Sequence, residues 1–146
     1  MNLFVLDASV AAKWCLPARG ETLVTEARSL LYRYTRAEIR ILVPDLFWAE
    51  MANLLWKAVR LGRCGAAEAE TALAAIRDFK FPTVPSLDHL NLAFRIATAF
   101  DRSVYDSLYI ALAVDSKAEF VTADERLSNA VAAHLPVKWL GALAAS

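Results

Sequence analysis

The sequence predicts an α/β domain of three layers, with a mainly parallel central sheet flanked by helices. Three observations predict it. Short apolar runs (Asn2–Asp7, Arg40–Pro44, Glu119–Thr122 and Val137–Leu140) have the length and composition of strands buried on both faces of a parallel sheet. Between them lie longer segments whose apolar residues recur at helical spacing, so that strand and helix alternate along the chain. The first run also ends on a carboxylate, Asp7, and in open α/β sheets ligands gather at the carboxyl ends of the strands.

In order, Asn2–Asp7 is the first strand and Ser9–Cys15 a short helix stopped by Leu16 and Pro17. Gly20 opens a second helix, Glu21–Tyr34, whose apolar stripe is Leu23, Val24, Ala27, Leu30, Leu31 and Tyr34. The strand Arg40–Pro44 closes on proline, and Asp45 is placed to cap the helix Leu46–Arg60. That helix carries Phe47, Trp48, Met51, Leu55 and Trp56 around most of its circumference, the pattern of a helix buried on more than one side, with part of it facing a partner. A turn at Leu61–Gly65 leads into an antiparallel helix, Ala66–Phe79, which completes a helical hairpin. Phe81–Pro85 holds two prolines, which remove ladder donors and predict a short strand or an edge one. Ser86 is expected to cap a helix reaching Phe100, and Ser103-x-x-Asp106 forms a capping box for the helix that ends at Ser116. After the strand Glu119–Thr122, a second box, Thr122-x-x-Glu125, is expected to launch a helix from Asp124 to Ala132. Val137–Leu140 is the last strand, followed by a tail of small residues.

Composition bounds the function. The 146 residues fit one domain, 1–146, able to bury roughly 70% of its unfolded surface. Sixteen basic and sixteen acidic residues cancel, so attraction to phosphate must come from local patches or from a bound metal. The longest stretch free of Asp, Glu, Lys and Arg is Leu127–Val137, 11 residues, too short to cross a bilayer. No basic region precedes the first apolar run, so no signal sequence is expected and a cytoplasmic location is. Cys15 and Cys64 lie outside any CxxC pattern and read as buried free thiols. Hydrophobic residues make up 58% of so short a chain, a surplus that points to apolar surface reserved for a second subunit.

Four acids fall where strands close or helices start: Asp7, Glu50, Asp106 and Asp124. Each has a plain alternative. Asp7 can cap the following helix, Asp106 can complete a capping box, and Asp124 can favour a helix dipole. Glu50 sits in an apolar helix on one face with Leu46, Asn53 and Lys57, so a contact with Asn53 or Lys57 is its structural alternative. Taken together, four carboxylates at one edge of the sheet would repel strongly without a cation, and an oxygen-only donor set selects Mg²⁺ or Mn²⁺ over zinc. Neither His89 nor His134 has the spacing of a zinc-ligand pair. Lys13, Lys57, Arg60, Arg102 and Arg126 follow the acids closely enough in sequence to touch phosphates, with solvated surface charge as the alternative.

The stretches Val5-Leu6-Asp7-Ala8-Ser9, Pro44-Asp45-Leu46-Phe47-Trp48-Ala49-Glu50, Ser103-Val104-Tyr105-Asp106-Ser107-Leu108-Tyr109 and Val121-Thr122-Ala123-Asp124 resemble the four acidic motifs of PIN-domain ribonucleases. More narrowly, the chain resembles the VapC toxins of bacterial type II toxin-antitoxin systems along nearly all of its length. The resemblance implies a sheet flanked by helices, metal-dependent endonuclease activity on RNA, a homodimer, and inhibition by a cognate VapB-like antitoxin, through which alone DNA would be contacted. It makes Asp7, Glu50, Asp106 and Asp124 the acidic quartet, with Ser9 and Thr122 the polar residues that accompany the first and last acids.

The chemistry agrees with that assignment, because a phosphodiester resists an anionic nucleophile until positive charge relieves the repulsion. Asp7 and Asp106 are the expected direct ligands, Asp124 a ligand of the same or a second ion, and Glu50 a group that orients or deprotonates the attacking water or binds the metal through water. Competing classes fare worse. An aspartyl-nucleophile phosphohydrolase would want Asp-x-Asp where Ser9 stands, and a dinucleotide-binding fold would want a glycine-rich first turn that Gly20, Gly62, Gly65 and Gly141 do not form. A PIN-type nuclease of general RNA processing and a catalytically inert interaction domain remain as alternatives. Growth arrest on expression, relieved by a small neighbouring gene product, separates the toxin from the first, and cleavage in vitro excludes the second.

Overall fold

Strand β1 (Asn2–Leu6) forms the centre of a five-stranded, wholly parallel sheet in the computed structural model, which describes residues 1–143. The end of the expected small-residue tail, 144–146, lies outside the described residues. β1 is flanked by β2 (Ile39–Pro44) and β4 (Glu119–Thr122), and the edges are β3 (Thr83–Val84) and β5 (Val137–Trp139), in the order β3-β2-β1-β4-β5. Phe4, Val5 and Leu6 are all buried, as a central strand covered on both faces requires. The proline-flanked segment is an edge strand of two residues, as its missing donors predict.

Among the described residues seven α-helices surround the sheet. α1 (Ala8–Cys15) packs against β4 and between α2 (Val24–Thr35) and α3 (Leu46–Arg60), and α3 pairs with α4 (Ala66–Asp78) as the expected hairpin. α6 (Val104–Ser116) lies across β1, β2 and β4 with α5 (Leu90–Phe100) against it, and α7 (Glu125–Val131) covers β4 and β5. Every residue from Ser107 to Ala113 is buried, so α6 is apolar all round and forms the middle of one layer.

Several local expectations are corrected. Asp45 already has helical dihedrals, φ −61° and ψ −27°, so its side chain makes no cap and instead accepts a hydrogen bond from the Ser86 hydroxyl. Ser86, committed to Asp45, caps nothing, and α5 is entered through a 3₁₀ turn, Ser86–His89. The helix expected from Glu21 starts at Val24 because Leu23 takes the left-handed conformation at φ +58°, while Glu21 is held by ion pairs with Lys13 and Arg63. Cys15 and Cys64 are free but only half-buried, since one ends α1 and the other lies in the turn after α3, and burial pushes the Cys15 thiol up to about 11. Trp56 is 56% exposed on α3 beneath the Arg60 guanidinium, so that part of the helix faces away from the core.

Helix ends take the left-handed reversal with and without glycine. α3 closes as a Schellman motif on Gly62, at φ +73°, with Arg63 N–H donating to Ala58 O at 2.9 Å. α6 makes a similar reversal through Lys117, at φ +53°, where a Cβ is disfavoured. Lys117 is exposed, so Lys117→Gly is expected to raise unfolding stability by about 0.5–1 kcal/mol, net of the greater freedom of glycine in the unfolded chain. Denaturant unfolding followed by circular dichroism checks it; an unchanged or lowered midpoint would contradict the strain.

Candidate active site

The carboxyl end of β1 is the point where the chain order of the sheet reverses, with β2 on one side and β4 on the other. β1 and β4 pair Leu6 with Val121, which sets the next residues, Asp7 and Thr122, side by side. Asp7 is extended at φ −73°, ψ 141° and caps α1, its Oδ1 accepting from Ser9 N–H at 3.3 Å. Its other oxygen, Oδ2, accepts from the Thr122 hydroxyl at 2.7 Å. The Thr122 oxygen accepts in turn from Asp124 N–H at 3.0 Å, and Ser9 Oγ accepts from Ala123 N–H at 3.2 Å. The first and last acidic stretches are thus stitched to each other by side-chain bonds.

Thr122 therefore does not form the expected capping box. Asp124 is the cap of α7, accepting from Leu127 N–H at 3.1 Å, because the Thr122 hydroxyl is turned inward to Asp7. Ser103 does cap α6, accepting from Asp106 N–H at 3.1 Å, and this fixes the first turn that carries Asp106. Glu50 does not take its structural alternative, a contact with Asn53 or Lys57: its Oε2 accepts from the Tyr109 hydroxyl at 3.2 Å, so α3 and α6 are tied at the site. From the sequence Tyr109 takes no role beyond its place in the third acidic stretch. The signal was its place three residues after Asp106, on the same helix face.

Electrostatics join the acids into one group. Burial raises the carboxyl of Asp7 above its ordinary value against the lowering effect of the Thr122 and Ser9 bonds, and the charge of Asp106 adds to the rise. Glu50 is pushed up to about 7, first by burial and then by the charge of Asp7, with Asp106 contributing. Asp106 is raised by burial, with Asp124 adding and Arg102 opposing. Burial and the two carboxylates Asp7 and Glu50 hold the Tyr109 hydroxyl protonated, so it serves as a donor. Among the described residues no group of three or more Asp, Glu, His or Cys side chains is drawn together tightly enough to hold a metal ion as it stands. The donor chemistry nonetheless fits a hard cation: all four are oxygen acids, and Mg²⁺ keeps several waters and takes only one or two carboxylates directly.

The basic candidates separate. Lys13 is buried, bonded through Nζ to Glu21 at 3.3 Å and to Thr22 O at 2.6 Å, and is structural rather than a surface contact. Lys57 is exposed and borders a cavity beside Ser9, Arg102 offsets the charge of Asp106, and Arg60 covers the Trp56 ring. His89 pairs with Asp115 at 3.0 Å and His134 lies by the Phe100 ring, so both have the packing and surface roles expected of them.

Residues 4–132 match the PIN domain family. Ribonuclease VapC9 of Mycobacterium tuberculosis is 33% identical to the chain over 135 residues, which are 92% of this chain and 96% of that protein. The crystal structure of PAE2754 from Pyrobaculum aerophilum has a TM-score of 0.66 at 24% identity, covering 88% of this chain and 79% of that one. VapBC2 from Rickettsia felis, solved bound to a DNA fragment from its promoter, gives a TM-score of 0.62 at 12% identity, covering 94% and 98%. These two structural likenesses are likenesses of fold. With the family matched over most of its length and a relative at this level of identity, the chain belongs to the PIN-domain family, among its VapC ribonucleases.

Proposed function

We propose that this protein is an endoribonuclease that hydrolyses RNA phosphodiesters with a divalent cation, Mg²⁺ or Mn²⁺, and that it acts as the toxin of a VapBC-type toxin-antitoxin pair. The observation that carries the reading is the junction of Asp7 with Thr122 across β1 and β4, with Asp7 and Asp106 close enough to raise the protonation of Glu50. Asp7, Asp106 and Asp124 would hold the cation, with Glu50 reaching it through water. When bound, the cation supplies positive charge against the charge that develops on phosphate and favours ionisation of the attacking water.

The chain's own residues do the rest. Tyr109 holds one oxygen of Glu50, leaving the other to orient water and accept its proton, a task suited to a carboxyl near neutrality. The water oxygen bonds to phosphorus as the P–O3′ bond breaks, leaving a 5′-phosphate and a 3′-hydroxyl protonated from solvent. Thr122 and Ser9 fix the rotamer of Asp7 and the loop that carries Asp124. Among the described residues no helix is long and apolar enough to cross a membrane, which supports a cytoplasmic site of action. Exposed Leu87, Leu90, Phe94 and Tyr105 support a homodimer, and a VapB-like antitoxin would supply inhibition and the only contact with DNA.

Cleavage of RNA with Mg²⁺ or Mn²⁺, compared with EDTA and with Asp7→Asn, tests the reading. Activity is expected to vanish in EDTA and to fall at least about a hundredfold in Asp7→Asn; equal activity in either would refute it. Thr122→Val, which removes the bond that holds Asp7 and the one that Asp124 N–H donates to the same hydroxyl, is expected to lose about 10–100-fold. Equality with the parent would remove Thr122 from the site.

Glu50 also sets a pH dependence of stability. Its folded value near 7 lies above its ordinary 4.5, so between these the native state binds more protons than the unfolded chain and stability falls as pH rises. Below the ordinary value the penalty is absent. Metal-free Glu50→Gln is therefore expected to melt above the parent at about pH 8 and with it near pH 4.5, measured by thermal denaturation at both. A constant difference across that range would contradict the assignment.

A further inference from the structure

A cavity of about 310 Å³ opens between α1 and α3 beside the acids, lined by Ser9, Lys13, Glu21, Lys57, Arg63 and Ala123 among others. One of its walls is shared with the site, because the Ser9–Ala123 bond that borders it also positions the residues next to Asp7 and Asp124. Its charge has the opposite sign: three cations face one carboxylate.

The cations are not equivalent. Lys13 is spent on Glu21 and on a carbonyl. Arg63 is swung over the cavity by the reversal at Gly62, and its Nη1 donates to Glu21 Oε1 at 3.3 Å. Its second amine, Nη2, is buried and has no partner among the described residues. A buried donor of a charged group left unpaired is costly, and guanidinium favours phosphate because two parallel donors match two oxygens. Lys57 is exposed at the same cavity, and among the described residues nothing pairs with it. Glu21, clamped between Lys13 and Arg63, fixes the guanidinium in place before any ligand arrives.

We propose that this cavity is a phosphate subsite for the RNA strand, in which Arg63 Nη2 and Lys57 hold a backbone phosphate next to the one being cleaved. The inference rests on the ribonuclease reading and deepens it. Carboxylates facing the scissile phosphate repel the rest of the polyanion, and a basic cavity across one shared wall offsets that repulsion and sets the register of the strand. Lys57 and Arg63 are positioning residues: they touch substrate away from the reacting atoms.

The test uses the full chain carrying Asp7→Asn, so that RNA is bound but not cut, with a short fluorescein-labelled single-stranded RNA in EDTA at salt from about 50 to 200 mM. Each lost phosphate contact on a single strand is expected to reduce the slope of log affinity against log salt by about 0.7. Lys57→Ala and Arg63→Gln should each show that loss, with binding weakened severalfold, and Arg95→Gln on the exposed face of α5 should show none. Lys57 is exposed, so its variant keeps the answer open to refutation even if Arg63→Gln disturbs the fold. Slopes unchanged in both variants, or reduced equally by Arg95→Gln, would overturn the subsite. Unchanged RNA binding with loss of antitoxin binding would assign the cavity to a protein partner and overturn it as well. A wild-type protein that cleaves no RNA with either metal defeats the ribonuclease reading instead, so the two failures are distinguishable.

Discussion

The hydrogen bond from Thr122 to Asp7 is the constraint on which the arrangement of the site depends. It joins residues 115 positions apart, and it exists because Leu6 pairs with Val121, so that the last residue of one strand and the first after its neighbour end in register. Side chains alternate along a strand, so a slip of one residue would turn Thr122 away and leave the Asp7 carboxylate buried against an apolar neighbour. Burial of a carboxylate without donors costs several kcal/mol, which makes the register of β1 and β4 part of the chemistry as well as of the fold.

The site is costly to the fold that builds it. Burial wins over hydrogen bonding at Asp7, Glu50 and Asp106, all of which are raised above their ordinary values, and each is raised further by the charge of another acid. The opposing contribution comes from packing. Tyr109 stacks on Phe120 at 5.0 Å within the core while its hydroxyl reaches Glu50, so one side chain belongs to both the apolar layer and the acids. Local rules that fail at a site and are offset elsewhere are what a functional centre produces.

Where the sequence could be read, the determinant was local. The four main strands and the helices α3 to α7 follow from period and length, and the acids could be picked out because each stands at a strand end or helix start. The misreadings share one cause, which is that a hydroxyl or carboxylate with a local use had a distant partner. Ser86 and Asp45 are 41 positions apart, and Thr122 and Asp7 are 115 apart. Neither pairing leaves a mark within the windows that capping rules use. The ends of α2 and α6 were legible, but the left-handed reversals just past them at Ala37 and Lys117 were not, since both take a conformation that a reader assigns to glycine. Tyr109 and Arg63 were missed because one looked like core and the other like an ordinary turn residue.

The net charge of zero conceals the feature that matters most for an anionic substrate. Charge is separated across the bond between Ser9 and Ala123, with carboxylates on one side and the Lys57 and Arg63 cavity on the other. Fields in a cleft depend on nearby charges far more than on the total, since ions screen beyond roughly 8–10 Å. A strand lying over that wall would meet attraction and repulsion within the span of neighbouring nucleotides. Such a gradient orders the approach of the polymer in a way that a uniformly basic surface would not, and it arises from the same crossing of β1 and β4 that sets Thr122 against Asp7.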